Sequence, residues 1–404
     1  MSSFNKLSSK QIPTLLILLA AGSLTSMTGG VVSPVMPEVR EQLQIDPQWA
    51  GTLVSMHCLT IALFGPVWGI LADKIGKLPI LIPSLIFYAI FGISGAWAQD
   101  FNSLLLSRAL LGAASGGVAA ASIGIISSMY DGEVRSRILG YATSALAISG
   151  IIFPVLGGIL GSKNWQYAFF IYSLGFPVAL GAALILKERK SKSSMVDMSQ
   201  TQQLIKSIQQ PSVLTLFLAL GLTSAIFYVV IVYAPLHFKA AIGATPALNG
   251  AILASRAVGA AIISATGASK LAKRLGSAKA IAVGFMLMAI TLLTIPFVTQ
   301  IYVILPTALV FGMGFGIVMP NLYDALSKLN APSVRSSVLA IGTGASNLGQ
   351  FFSPILLGAV WKNAGIAVFF VGASVSLATT FLSIRQGSAL EKAQYDQTPI
   401  GREG

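Results

Sequence analysis

Residues 69–77 read Gly-Ile-Leu-Ala-Asp-Lys-Ile-Gly-Lys, and 200 positions later residues 269–277 read Ser-Lys-Leu-Ala-Lys-Arg-Leu-Gly-Ser. Each closes an apolar run of about 20 residues, the length that crosses a bilayer core roughly 30 Å thick at 1.5 Å per residue. Leu71, Ala72 and Gly76 thus fall on Leu271, Ala272 and Gly276. The register continues along the chain: Gly112 and Gly116 meet Gly312 and Gly316, Arg135-Ser136 meets Arg335-Ser336, Pro154 meets Pro354, Gly158 meets Gly358, and Phe169-Phe170 meets Phe369-Phe370. Shared hydrophobicity would not align glycines, prolines and an Arg-Ser pair, so the two halves are copies.

Around this repeat, the composition fixes the medium. Of 404 residues 54% are hydrophobic and 10% charged, with a mean hydropathy of +0.79. Soluble cores cannot hide that much apolar surface, so the excess faces lipid. Apolar runs of about 20 residues place spans at 13–37, 48–71, 79–98, 102–129, 136–161, 165–186, 212–236, 248–271, 278–299, 302–327, 336–361 and 365–385. The expected fold is an all-α polytopic membrane protein, twelve transmembrane helices as two six-helix bundles related by pseudo-twofold symmetry. An even number of spans per copy gives both copies the same orientation, about an axis along the membrane normal. The expected organisation is an N-terminal stretch 1–12, a first bundle 13–186, a polar linker 187–211, a second bundle 212–385 and a disordered polar tail 386–404. The first run, Ile12 to Pro37, lacks a small-residue cleavage signature and reads as a retained helix.

Charge gives the orientation. The net charge of +13 comes from basic residues in the short gaps between spans, a pattern of topology and not of nucleic-acid binding. Among 26 Lys and Arg, Arg40, Lys163, Lys239 and Lys362 fall in gaps on one side and Arg108 and Arg256 inside spans, while the other 20 share the opposite side. Those include Lys6, Lys10, Lys74, Lys77, Arg135, Arg137, Lys187, Arg189, Lys190, Lys270, Lys273 and Arg274. Both termini are therefore expected in the cytoplasm. A single cysteine, Cys58, allows no internal disulfide, and with only His57 and His237 as imidazoles no zinc or iron–sulfur site, other metal or cofactor is expected. No glycine-rich loop followed by Lys-Ser/Thr is present, so ATP is not the expected energy source.

Three motifs resemble those of the major facilitator superfamily, and the resemblance covers essentially the whole chain. Gly69 to Lys77 resembles its loop signature, departing from it at Leu78, where a further basic residue is usual. The resemblance implies a conformational latch of Gly69, Asp73, Lys74, Gly76 and Lys77, with Arg135, that holds the cytoplasmic side closed. Arg108-Ala-Leu-Leu-Gly112-Ala-Ala-Ser-Gly116 looks like the second motif, whose arginine is implied in proton transfer or substrate binding; snorkelling or structural pairing is the other reading. In the fifth span, Gly140, Gly150, Pro154, Gly157 and Gly158 are similar to the drug/proton antiporter motif, with Ser149 and Phe153 where glycines are usual. Physically, Pro154 frees a carbonyl and bends its helix while small neighbours let it pivot.

A charge at mid-bilayer costs several kcal/mol or more, so embedded ionisable residues are functional candidates. They are His57, Arg108, Arg256 and Asp324, with Glu38 at the outer end of the first span. The repeat maps Met56 onto Arg256, which puts His57 and Arg256 one residue apart on corresponding helices, each about 13 Å deep. His57 could carry a coupled proton or simply bridge helices. Arg256 stays charged and either attracts an anionic solute or pairs with Asp324 or Glu38. Asp324 reads as a gate contact or a proton site. The resemblance puts Tyr228, Tyr233, Asn321, Asn347 and Gln350 at a central cavity, although each could equally be an interhelical hydrogen bond.

These readings converge on a secondary transporter working by alternating access. The expectation is a proton-coupled antiporter that exports a small amphipathic, anionic metabolite, siderophore or drug. The alternative is an uptake symporter or facilitator. The expected partners are a small-molecule substrate, protons and the lipid bilayer, with no nucleic acid and a monomer as the working unit. Sparse embedded acids and imidazoles argue against a membrane enzyme, and short loops point to a bacterial inner membrane.

Overall fold

The structure, a computed structural model, describes residues 11–130, 132–187 and 198–395. Lys6, Lys10, Arg189 and Lys190, the N-terminal stretch through residue 10, the start of the linker and the tail beyond 395 lie outside the described residues.

Among the described residues the regular structure is all helical. Eleven helices are long and apolar enough to cross a membrane: Ile12–Gln42, Ala50–Ile75, Leu78–Trp97, Phe101–Met129, Arg137–Gly161, Trp165–Ile185, Pro211–Ile242, Pro246–Thr266, Ser277–Phe297, Ile301–Lys328 and Ala367–Ile384. In the gap before the last stands Arg335–Ala364, a 30-residue helix diluted by Thr343, Ser346, Asn347 and Gln350. Counting it, the twelve are spans 1 to 12 in chain order. Two findings differ from the sequence reading. The polar linker contains an amphipathic helix, Met198–Ile208, and the final helix continues past Arg385 to Tyr395 instead of dissolving into a disordered tail.

Each half packs within itself, span 2 on span 4 and span 1 on span 5 in the first, span 8 on span 10 and span 9 on span 12 in the second. The halves meet through span 5 on span 8 and span 2 on span 11. Apolar side chains gain nothing by leaving lipid for each other, so close backbone approach has to hold such contacts. Glycine and proline supply it. A Cβ built on Gly250 would lie 2.4 Å from the Pro154 carbonyl oxygen, and one on Gly158 2.4 Å from that of Pro246. At the symmetry-related crossing, a Cβ on Gly51 would lie 2.5 Å from Pro354 Cβ, and one on Gly358 2.1 Å from the Gln48 carbonyl oxygen.

These contacts gather at one end of the bundle, here the far end, opposite the basic end that carries Lys74, Lys77 and Lys270–Arg274. Polar groups reinforce the far end. Lys239 Nζ donates to Glu38 Oε1 at 2.9 Å and Lys362 Nζ to Asp46 Oδ2 at 2.6 Å, both across the halves. Ser33 donates to the Ile231 carbonyl, and Asn249 Nδ2 to that of Pro34 at 3.4 Å. Toward the basic end the halves part: nothing lies within 4 Å of a Cβ built on Gly65, Gly69 or Gly140. The molecule is closed at the far end and open toward the basic end.

Lys362 and the Gln48 amide hold the Asp46 carboxyl below its ordinary range. A lowered carboxylate favours the contact above its ordinary pKa and loses it as pH falls through the lowered value. Spin labels at Glu41→Cys and Asn363→Cys are expected to report a longer far-end distance on acidification below about pH 4. Asp46→Asn is expected to show that longer distance already at neutral pH and to respond less to acid.

Candidate functional site: a buried arginine facing a histidine–cysteine–tyrosine cluster

His57 and Arg256 are direct equivalents in the repeat, which corrects the one-residue offset read from sequence. A Cβ on Gly112 would lie 2.5 Å from the His57 carbonyl oxygen, and one on Gly312 1.8 Å from that of Arg256, so each residue sits against the same glycine of its own half. The spacing is 199 here and 200 at Leu71/Leu271 because the helices differ between these points. Span 2 is continuous through Ile75, whereas span 8 stops at Thr266 and a separate helix, Ala268–Leu275, resumes after Gly267. The joint absorbs the extra residue.

His57 is 6% exposed, and its Nε2 lies 3.3 Å from Cys58 Sγ and 3.5 Å from the Tyr228 hydroxyl. Cys58 Sγ in turn lies 3.1 Å from Tyr228 Oη and donates to Gln350 Oε1 at 3.1 Å. These contacts tie span 2 to spans 7 and 11 near the basic-end limit of the closed interface. His57 Nδ1 is buried, on the side of the Val54 carbonyl one turn back in span 2. Cys58 and Phe227 are members the sequence reading missed. Their signal was adjacency, Cys58 beside His57 and Phe227 beside Tyr228.

Arg256 is 7% exposed, with its guanidinium 4.1 Å over the Phe227 ring and Phe227 stacked on Phe315 at 4.4 Å. No described carboxylate pairs with it. Glu38 is held by Lys239, and Asp324, expected as a gate contact, binds Lys328 one turn along its own helix at 2.6 Å. Both alternatives for neutralising Arg256 within the chain are therefore absent here. A delocalised cation against an aromatic face is stabilised, yet its N–H edge remains available to an acceptor.

The other candidates disperse. Tyr233 is buried and donates to the Pro354 carbonyl at 3.2 Å, an interhelical bond within the second half. Asn321 turns back to the Ile317 carbonyl of its own helix at 2.7 Å. Asn347 is half-buried on span 11, one turn from Gln350.

Comparison with known proteins now bears on this architecture. The family model described as Major Facilitator Superfamily matches residues 18–354 and 216–399. The chain belongs to that superfamily. It is 23% identical over 86% of its length, and 90% of the relative's, to the Quinolone resistance protein NorA of Staphylococcus aureus. To the Multidrug resistance protein MdtG of Enterobacter lignolyticus it is 26% identical over 94% of the chain and 95% of the relative. Among solved structures, a D-xylose–proton symporter superposes with a TM-score of 0.76 at 16% identity, covering 93% of this chain and 97% of that one. This superfamily member is a multi-pass membrane transporter.

Its loop-signature residues Gly69, Asp73, Lys74, Gly76 and Lys77 lie at the open basic end. Asp73 is exposed and in no ion pair among the described residues, and Arg135 is likewise exposed. Gly76 turns the chain at φ +108° and Gly276 at +83°, a region that penalises a Cβ. In the antiporter-like motif, Pro154 and Gly158 form the crossing with span 8, while a Cβ on Gly157 would meet the Val31 carbonyl oxygen of span 1 at 2.6 Å. Gly150 has only the Ala257 methyl nearby, 3.9 Å from a built Cβ.

Arg108 is held within the first half beside Tyr172, whose hydroxyl donates to the carbonyl of Thr28, next to the Gly29 that packs on the His57 ring. It is 1% exposed, donating to the Gly92 carbonyl and the Tyr172 hydroxyl at 3.1 Å each and covered by the Phe169 and Tyr172 rings. Gly92 lies in the last turn of span 3, whose C-terminal carbonyls favour a cation. At the repeat-related position stands Ala308, and there a small apolar cavity opens among Ile295, Ile304, Thr307, Ala308 and Phe311. Arg108→Ala is expected to open such a hole in the first half and strand two acceptors, destabilising the folded state by about 2 kcal/mol or more. A lowered melting temperature in detergent, with solute affinity unchanged in the surviving folded protein, would check this.

Proposed function

We propose that this protein is a proton-coupled antiporter that exports a small amphipathic, anionic solute, with Arg256 as the anion-binding group and His57 as the proton carrier. The observation that supports it most is the guanidinium of Arg256: buried at mid-membrane, fixed on Phe227, and without a carboxylate partner among the described residues. A cation so placed attracts a carboxylate or phosphate strongly, because little water competes. The Phe227–Phe315 pair offers an apolar wall for the rest of an amphipathic solute. Relatives named for resistance to quinolones and to multiple drugs favour export.

In this reading the basic end is cytoplasmic, and the conformation described is inward-facing. An anion enters between the parted halves and binds Arg256. His57, equivalent to Arg256 in the other half, exchanges its proton as the cluster of Cys58, Tyr228 and Gln350 breaks. Asp73 and Arg135 are proposed to help latch the basic end once it closes. A facilitator without proton coupling is the second reading, favoured by the pairing of Glu38 and of Asp324, the two carboxylates first considered as proton sites, each with a lysine.

Purified protein at weak buffering, titrated with panels of organic anions and cations, tests the assignment. Arg256→Ala is expected to weaken anion binding roughly ten- to a hundredfold, the worth of a charge-assisted hydrogen bond, while a melting curve shows the fold retained. His57→Ala is expected to keep binding and lose the proton release that accompanies it. Anion binding undiminished in Arg256→Ala would overturn the anion site, and binding without proton release in the wild type would leave a facilitator. For the latch, Asp73→Asn is expected to raise the population open at the basic end, read as faster alkylation of cysteines placed at Gly65 or Gly140.

A further inference from the structure

The break in span 8 creates a feature with no counterpart in the first half. Span 2 runs unbroken to Ile75 and carries Asp73 beside Lys74. In the second half the helix stops, Gly267 turns the chain, and Ala268–Leu275 forms a helix of its own between two membrane spans. Lys273 replaces Asp73 at the repeat position, so the only acid is lost. Taking 100° per residue, Ser269, Lys270, Lys273 and Arg274 share one side, and Ala268, Leu271, Ala272 and Leu275 the other.

Lys270, Lys273 and Arg274 are exposed, as is Lys279 in the first turn of span 9, and none is in an ion pair among the described residues. No Asp or Glu occurs between Asp197 and Asp324, so no nearby acid in sequence screens these cations. The apolar side is incompletely covered by protein, since Leu275 is 42% exposed and Ile262, on the preceding turn, 52%. A helix that projects cations on one side, leaves leucine bare on the other and lies between two spans sits at the depth of lipid headgroups. Topology alone needs basic residues somewhere in this loop; it does not need them segregated on one side of a separate helix.

We propose that the Ala268–Leu275 helix, with Lys279, is a binding surface for the phosphate headgroups of anionic phospholipids in the basic-end leaflet. The cations engage the phosphates while Leu275 and Ile262 lie against the acyl chains. The surface is independent of Arg256 and His57 and does not rest on the export reading.

Full-length protein in nanodiscs of phosphatidylcholine, titrated with a fluorescent phosphatidylglycerol and compared with its phosphatidylcholine analogue, tests the proposal. The expected result is preferential binding of the anionic lipid that weakens with salt. The triple variant Lys270→Gln, Lys273→Gln, Arg274→Gln should lower that affinity at least tenfold, at roughly fivefold per charge near the surface. Lys163→Gln, at the far end, should leave it unchanged, and because all the altered side chains are exposed the melting temperature should hold. Equal retention of both lipids by the wild type, or undiminished anionic-lipid binding by the triple variant, overturns the proposal. So does displacement of the lipid by millimolar inorganic phosphate at constant ionic strength, which would mark a site for soluble phosphates.

Discussion

The structure depends on backbone meeting backbone inside lipid. Helices surrounded by hydrocarbon gain nothing by burying leucine against leucine, so they associate where small residues allow carbonyls and Cα atoms within contact distance. Gly112 against the His57 carbonyl and Gly312 against that of Arg256 lock span 2 to span 4 and span 8 to span 10. The same device, at Gly51, Gly158, Gly250 and Gly358, joins the halves at one end only. The ion pairs at the rim of this seam, Glu38 with Lys239 and Asp46 with Lys362, are partly exposed and add little to what the glycine–proline crossings hold.

Within that frame the two embedded arginines illustrate opposite solutions to one electrostatic problem. Arg108 is satisfied by its own half: a helix C-terminus, a tyrosine hydroxyl and two aromatic faces absorb it. Its counterpart Ala308 needs nothing, and the unused space persists as a cavity. Arg256 has one aromatic face and no acid. A charge that the protein has not neutralised inside the membrane leaves its N–H donors to water or to another acceptor, and in this the two arginines differ.

The repeat also shows where duplication has been bent to a purpose. Symmetry places a histidine in one half where the other has an arginine, so the two sides of the interface carry a titratable and a permanent base at the same depth. Symmetry is broken again at Gly267, where one extra residue shifts the register from 199 to 200 and frees a short basic helix. An ungapped comparison of the two halves sees only the average register and sets Met56, not His57, against Arg256.

Much of the architecture was legible in the sequence. Span lengths, the doubling of the chain and the glycine and proline positions follow from hydropathy and spacing, because bilayer thickness sets helix length and backbone satisfaction leaves helices as the only choice here. The candidate charges were legible too, since an embedded ionisable residue is rare. What sequence left open was partnership within the chain: whether Arg256 pairs with Glu38 or Asp324, and which groups Arg108 and Tyr233 hydrogen-bond. Only the tertiary structure decided these, because partnership is set by the rotation of each helix about its axis and the tilt of one half against the other. Those are fixed by contacts between residues far apart in the chain, such as Glu38 with Lys239 and Cys58 with Gln350, which no local pattern encodes.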